Sequence, residues 1–363
     1  MKILYVITGL GQGGAERVVC DLADKMYEKG SQVKIAYLVG EVLTRPSHQD
    51  IELVKVNLNS MGSLFSGYMK LLKLIKSYQP DVVHSHMVHA NLLTRLIRLV
   101  SPIKKLISTA HSNNEGGQVR MFLYRMTHGL ADVTTNVSRS AALAFEEKGA
   151  VPKNGIQTIY NGIDLNRFKY LEGSRRELNK ELDIGEDCKV ILAVGRFNEA
   201  KDYPNLLKAI QTLKIETTLI FKFLIVGDGE LRGLLESTIN ELNLEEEVVL
   251  LGRRNDIPKL MSAADLFVLP SKYEGFGLVV AEAMACECLV VATNCGGVAE
   301  VLNLPDFLVP PSNPNALKDK IIYMLDLDKY TKKIITSENL EYIQNKFSLD
   351  FIANQWVDIY NEN

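Results

Sequence analysis

DLFVLPSKYEGFGLVVAEAMA, residues 265–285, reads as an apolar strand, a loop holding two glycines, and an apolar helix. A strand that is apolar throughout, instead of alternating, is buried on both faces, as in a parallel sheet covered by helices on each side. The helix begins near Gly277, so the amides of residues 276–278 stand at its N-terminus and favour an anion. Two carboxylates flank that start: Glu274 on the loop and Glu282 about a turn and a half into the helix. A facing acid pair would suit a glycosidase. Placement on a single loop–helix unit beside an anion site suits the clasping of a ligand with hydroxyls. The plain structural alternative has Glu282 facing solvent.

The same rhythm runs outward in both directions. KVILAVG (189–195), FKFLIVG (221–227), EVVLLG (247–252) and CLVVAT (288–293) are further strands with helices between them. Upstream, KILYVIT (2–8), QVKIAYL (32–38), DVVHSH (81–86), KLISTAH (105–111) and VTTNVS (133–138) repeat the pattern. Helices are expected over 15–30, 68–78, 91–100 and 140–148. A charged stretch, 166–189, interrupts the series. With 363 residues, about two domains are expected. The fold class is α/β: two doubly wound, Rossmann-like domains, with ligands beyond the carboxyl ends of the strands. The expected N-terminal domain is 1–168, joined by the C-terminal helix 347–363, and the C-terminal domain is 189–346.

GRFNEAKD (195–202) puts Arg196 and Lys201 at the carboxyl end of a strand. Two cations there match a diphosphate, or else form an ordinary solvated loop. TGLGQGGAE (8–16) follows a strand and opens a helix, with Gly9, Gly11 and Gly14 in a formal dinucleotide spacing. The acid expected about 20 residues on is missing from its place. A loop closing on phosphate or sugar therefore fits better than NAD binding, beside the alternative of a plain tight turn.

Net charge is −3, unevenly spread: +8 over residues 1–170 and −11 over 171–363. A basic first half suits an anionic partner or surface. Lys70, Lys73 and Lys76 recur along one helix and are followed by Arg95, Arg98, Lys104 and Lys105. That stripe reads either as a contact with anionic lipid or as a solvated helix face. Five cysteines, three of them crowded at Cys286, Cys288 and Cys295, show no disulfide framework. His84, His86 and His89 lie close in sequence and the first two share a strand face; with no fourth ligand apparent, a role on the acceptor side or plain packing is expected rather than a metal site. The start carries no cleavage-type site, and no run reaches the ~20 apolar residues of a membrane helix. A cytoplasmic address is expected, with peripheral contact at the inner face of the cell membrane.

Together these segments resemble the retaining glycosyltransferases of family 4, which have the GT-B fold of two facing Rossmann-like domains with a cleft between them. The resemblance is carried by GGAE (13–16), DVVHSH, TAHSN (109–113), NVSRS (136–140), IYNGID (159–164), VGRFNEAKD (194–202), VGDGELR (226–232), NCGGVAEV (294–301) and, most specifically, the Glu-x7-Glu spacing in 274–282. It implies that Arg196 and Lys201 hold a donor diphosphate and that Glu282 accepts the ribose hydroxyls. It also implies that Glu274, with the amides of Phe276, Gly277 and Leu278, holds the transferred sugar and its phosphate. Gly13 and Gly14 would close near that phosphate, and His111 would lie by the sugar. The base would pack near Arg253, Arg254 and Asn255, largely through backbone contacts, and Glu300 would sit near the sugar or support its loop. His111, Glu274, Arg196 and Lys201 are the implied catalytic set.

The implied reaction is metal-independent transfer of a hexose or N-acetylhexosamine with retention, and no cofactor beyond the donor. A UDP-sugar is the expected donor, and a lipid-linked or surface-polysaccharide precursor, as in lipopolysaccharide assembly, the expected acceptor. A UDP-sugar 2-epimerase of the same fold and a non-catalytic nucleotide-sugar-binding subunit are the alternatives. One departure stands out: the family's Gly and Pro after the helix are here Glu287 and Leu289. Glu282, set in an apolar run, is expected to be the least satisfied acid when no donor is bound.

Overall fold

Strand β1 (Lys2–Ile7) is buried at every position but the first, and its side chains part by the two-residue period of a strand. Ile3, Tyr5 and Ile7 enter one core; Leu4 and Val6 enter another on the opposite face. This is why the strand reads as one unbroken apolar run. The computed structural model describes residues 1–58, 62, 64–113, 115–302 and 304–362. They fall into two compact units, Met1–Gly162 with Ser348–Asn363, and Ile163–Phe347.

In unit 1, β1 is followed by α1 (Gly14–Glu28), β2 (Gln32–Tyr37), β3 (Glu52–Lys55), α2 (Leu64–Tyr78) and β4 (Val82–His86). Then come α3 (Val88–Arg98), β5 (Lys105–Ala110), α4 (Gly117–Thr127), β6 (Val133–Asn136), α5 (Arg139–Glu147) and β7 (Gln157–Thr158). All pairings are parallel, in the order β3-β2-β1-β4-β5-β6-β7. The order reverses between β1 and β4, so the turns leaving those strands flank a switch point at the carboxyl edge. β3 and β7 are too short and too polar to stand out in the sequence. Elsewhere the expected strands run one or two residues too far, because Thr8, His111 and Val137 have already left the sheet for the loops at its carboxyl edge.

Unit 2 begins before its sheet. The charged stretch, expected to join two domains, holds α6 (Ser174–Leu182) and belongs to unit 2. Arg175 ties it down, bonding the Asp265 carboxylate at 2.7 Å and the carbonyls of Ala263 and Cys188. The expected boundary at 168 thus lies a few residues inside unit 2. The series continues with β8 (Lys189–Val194), α7 (Tyr203–Glu216), β9 (Phe221–Val226), α8 (Arg232–Glu241), β10 (Val248–Gly252) and α9 (Ile257–Ala263). After these come β11 (Leu266–Leu269), α10 (Leu278–Ala285), β12 (Val290–Thr293), α11 (Val298–Leu302), β13 (Leu308–Val309), α12 (Pro314–Asp326) and α13 (Lys329–Phe347). The sheet is parallel, ordered β10-β9-β8-β11-β12-β13, with its switch point between β8 and β11.

The last helix, α14 (Leu349–Asn361), belongs to unit 1 and packs on α1. Ile352, Trp356 and Ile359 share a core with Tyr5 and Val19. All five cysteines are buried and outside any disulfide.

The departure after α10 has a local explanation. Glu287 lies in the left-handed region at φ +56°, where glycine costs nothing and a side chain is strained. Its carboxylate meets Lys333 at 2.6 Å. The position keeps the turn a glycine would make.

Candidate functional site

The site in unit 2 is built where β8 and β11 lie side by side. Two loops leave their carboxyl ends, 195–202 and 270–277, and they are bonded to each other. The amide of Lys272 donates to the Ala200 carbonyl at 2.8 Å, and Lys272 Nζ lies 3.4 Å from the buried Asp202 carboxylate. Asn198 accepts from the Lys201 amide through its side chain, closing a short turn that aims Lys201 across the gap. There Lys201 Nζ meets Glu274 Oε1 at 2.5 Å. The same oxygen accepts from Ser271 Oγ at 2.7 Å. Lys201 is 19% and Glu274 14% exposed at the side chain, so the pair is shielded from water but open to a ligand.

Glycines let the backbones come this close. A Cβ on Gly296 would lie 1.7 Å from the Glu274 carbonyl oxygen, and one on Gly227 would lie 1.9 Å from the Gly195 carbonyl oxygen. Gly277, at φ +89°, caps α10 in the left-handed region, and Leu278 is the first helical residue. The helix start between the two acids is therefore where the sequence places it. Phe276 turns its ring into the core against Phe347, at 5.5 Å between centroids, so it can serve a ligand only through its backbone.

Glu282 lies in the middle of α10 and is partly buried. It has a partner within the chain. Arg196 is separate from the Lys201–Glu274 pair: it is 66% exposed and meets Glu230 at 3.2 Å. Arg253 and Asn255 lie exposed after β10, with Arg253 3.6 Å from Asp228. The Arg254 side chain is spent on structure, bonding Asp256 and reaching Glu181 of α6, while the contact expected with the base is one through the backbone. Glu300 lies in α11, whose Glu300 carbonyl accepts from Tyr342. Ser271, Gly296 and Glu230 are the members that sequence patterns miss. A lone Ser, Gly or Glu next to a strand end carries no spacing signal.

In unit 1, Gly13 is the N-cap of α1 and Gly14 its first residue, just beyond β1. A Cβ on Gly13 would overlap the Glu16 carboxylate. His111 follows β5, and its amide donates to Glu115 at 2.9 Å. Its ring Nε2 lies 3.0 Å from His86 Nδ1. Burial holds the His111 imidazole neutral, its pKa lowered to about 4. His84 and His86 are likewise pushed well below the ordinary range, first by burial and then by neighbouring imidazoles. Trp356, His84, His86 and His111 form one chain of rings, with centroids 4.4, 4.0 and 5.2 Å apart. His84 is bonded at both nitrogens, to Tyr360 and Thr109.

The basic stripe is only partly on the surface. Arg95 is buried, bonding Ser108, Thr134 and the Tyr124 carbonyl, which removes it from any surface contact. Arg98 pairs with Asp132, Lys104 with Asp81, and Lys105 with the Glu362 carbonyl. Lys70, Lys73 and Lys76 of α2 are exposed. On α4, Val119, Phe122, Leu123 and Met126 are exposed at helical spacing, beside exposed Arg120 and Arg125. Among the described residues, no helix is long and apolar enough to cross a membrane.

The chain matches two family descriptions, Glycosyltransferase Family 4 over residues 12–167 and Glycosyl transferases group 1 over residues 174–339. It is 30% identical to the N-acetylgalactosamine-N,N'-diacetylbacillosaminyl-diphospho-undecaprenol 4-alpha-N-acetylgalactosaminyltransferase of Campylobacter jejuni, over 91% of this chain and 92% of that one. It is 30% identical to the UDP-Gal:alpha-D-GlcNAc-diphosphoundecaprenol alpha-1,3-galactosyltransferase of Escherichia coli, over 69% of this chain and 65% of that one. Anabaena HepE, solved with UDP and glucose, superposes with a TM-score of 0.84 at 22% identity, covering 99% of both chains.

Proposed function

Because the chain belongs to the family 4 glycosyltransferases of GT-B fold, we propose that it moves a hexose or N-acetylhexosamine from a UDP-sugar to a lipid-linked or polysaccharide-precursor acceptor, with retention at the anomeric carbon and without a metal. The observation that carries the reading is the Lys201–Glu274 pair, held by Ser271 across the switch point between β8 and β11. A pair set at a strand switch point, beside a helix start, suits a ligand that is anionic at one end and hydroxylated at the other. The relatives' own names supply a UDP-sugar in one case and diphospho-undecaprenol acceptors in two.

On this reading Lys201 and the start of α10 face the donor phosphates, and Arg196 adds a second cation from the loop rim. Glu274 accepts from the sugar hydroxyls and Glu282 from those of the ribose. Arg253 and Asn255 flank the base. In unit 1, His111 and the Gly13–Gly14 turn are the candidate ligand contacts. The bond between the anomeric carbon and the diphosphate oxygen breaks, and a bond from that carbon to the acceptor oxygen forms on the same face. The acceptor's proton passes to the departing phosphate oxygen. The protein's part is to stabilise charge growing on the leaving group with fixed cations and dipoles. The fixed positions of Lys201, held by Glu274, and of the helix start support this role.

The protein's surface supports a lipid-side acceptor through α2 and α4, where exposed lysines and arginines border exposed apolar residues. That surface supports the reading of a cytoplasmic enzyme resting on the inner membrane face. The test is an NMR time course in chelator with a panel of nucleotide sugars and a polyprenyl-diphosphate sugar acceptor. We expect turnover with at least one UDP-sugar and an axial-to-axial outcome at the anomeric centre. Glu282→Ala should weaken donor binding at least about tenfold, the loss of one charge-assisted hydrogen bond. Inverted product, conversion of the donor without transfer, or unchanged donor affinity in Glu282→Ala would each overturn the assignment they concern.

A further inference from the structure

We infer that His86 is a positioning residue that fixes His111 as the tautomer protonated on Nδ1, so that the ring offers a neutral N–H donor to a bound ligand. His111 comes to rest here through sequence order. It follows the last residue of β5, its amide is held by the Glu115 carboxylate, and Glu115 is itself held by Tyr124 at 2.5 Å. His86 ends the neighbouring strand β4, in register with Thr109. The two rings meet through His86 Nδ1 and His111 Nε2 at 3.0 Å, and between two neutral imidazoles one proton occupies that contact.

Which ring owns the proton is decided at the far side of His86. Its Nε2 is buried and has no hydrogen-bond partner among the described residues. If His111 donated, His86 would have to carry its proton on that buried Nε2, leaving an orphan N–H. If His86 donates from Nδ1, its Nε2 is a bare lone pair instead. Buried N–H groups without partners are rarer in proteins than acceptors without donors. His86 therefore donates, His111 accepts at Nε2, and the His111 proton sits on Nδ1. The His86 ring is packed beside those of His84 and Tyr5, with centroids 4.0 and 5.9 Å away. His84 is locked in turn by Tyr360 and Thr109.

The inference rests on the reading of His111 as a ligand contact and narrows it. A ring protonated on Nδ1 can hold a sugar or phosphate oxygen. It cannot accept the acceptor's proton there, so His111 orients and does not act as base.

The experiment is nitrogen-15 NMR of the imidazoles in the full chain, assigned by the signal lost in His111→Gln. We expect His111 protonated on Nδ1 and bare on Nε2; the reverse overturns the proposal. Two substitutions separate positioning from packing. His86→Asn keeps an N–H donor near the place of Nδ1 and should keep the His111 tautomer and turnover within about threefold. His86→Leu keeps bulk but no donor, and should mix the tautomers and lower kcat about tenfold, the worth of one hydrogen bond. If the two variants behave alike, His86 only packs and the inference fails. The spectrum needs no substrate. A failed tautomer leaves the proposed reaction standing, and an inactive donor panel with the tautomer intact removes the reaction alone.

Discussion

Gly296 and Glu274 meet backbone to backbone, and this contact sets the position of the candidate clasp more tightly than either charge does. At φ +54° Gly296 occupies the left-handed region, and an added Cβ would stand 1.7 Å from the Glu274 carbonyl oxygen. Neither strain can be relieved by rotating a side chain. Gly296→Ala should therefore push the 270–277 loop away from Lys201. We expect a stability loss of about 2 kcal/mol or more and at least about a tenfold fall in turnover, read by thermal melting and by the donor assay. A neutral outcome in both would show the contact to be slack. Single residues also show where sequence reasoning stops. Glu274, Glu282, Arg196 and Lys201 carry a spacing that can be read. Ser271, which donates to Glu274, and Glu230, which pairs with Arg196, acquire their meaning only from contacts made over the fold. Arg95 shows the same limit: a cation in a basic stretch looks the same whether it stays largely exposed, as Arg196 does beside Glu230, or is spent in a core, as Arg95 is.

Elements were legible where burial covers both faces. β1, β4, β5 and β8 read as buried strands because helices pack on either side, while β3 and β7, at the two opposite edges of their sheet, did not. Helix α4 runs against the pattern. Met121 and Tyr124 are its buried side, and Val119, Phe122, Leu123 and Met126 form a second apolar stripe that faces solvent, Val119 being 73% and Phe122 62% exposed. A stripe at positions i, i+3, i+4 and i+7 with flanking arginines is the composition of a helix that rests in a lipid interface. The full chain should sediment with vesicles containing anionic phosphatidylglycerol and remain free of purely zwitterionic ones. Phe122→Asp with Met126→Asp should weaken that binding about tenfold or more. Replacing Lys70, Lys73 and Lys76 with Gln should lower it and flatten its salt dependence. Equal binding by all variants would place any lipid contact elsewhere on the chain.

At the scale of the molecule, the C-terminal segment completes a core begun at the other end of the chain. Trp356 lies against His84, and Tyr360 reaches both His84 and Tyr5, so α14 buries the ring chain that ends at His111. Trp356→Ala should remove about 3–5 kcal/mol from this core. Hydrogen exchange should then show lost protection at the amides of β1 and β4 and little change at β8 and β11. Equal loss in both sheets would contradict the assignment of α14 to unit 1 alone. The fold class, most of the buried strands and the loop–helix unit holding Glu274 and Glu282 can be read from the residues alone, because these follow from local burial and from amides at a helix start. Which cations remain open to a ligand, where the chain divides, and how three histidines share their protons become readable in the folded chain. Each of those depends on partners distant in sequence, brought together once both sheets have formed.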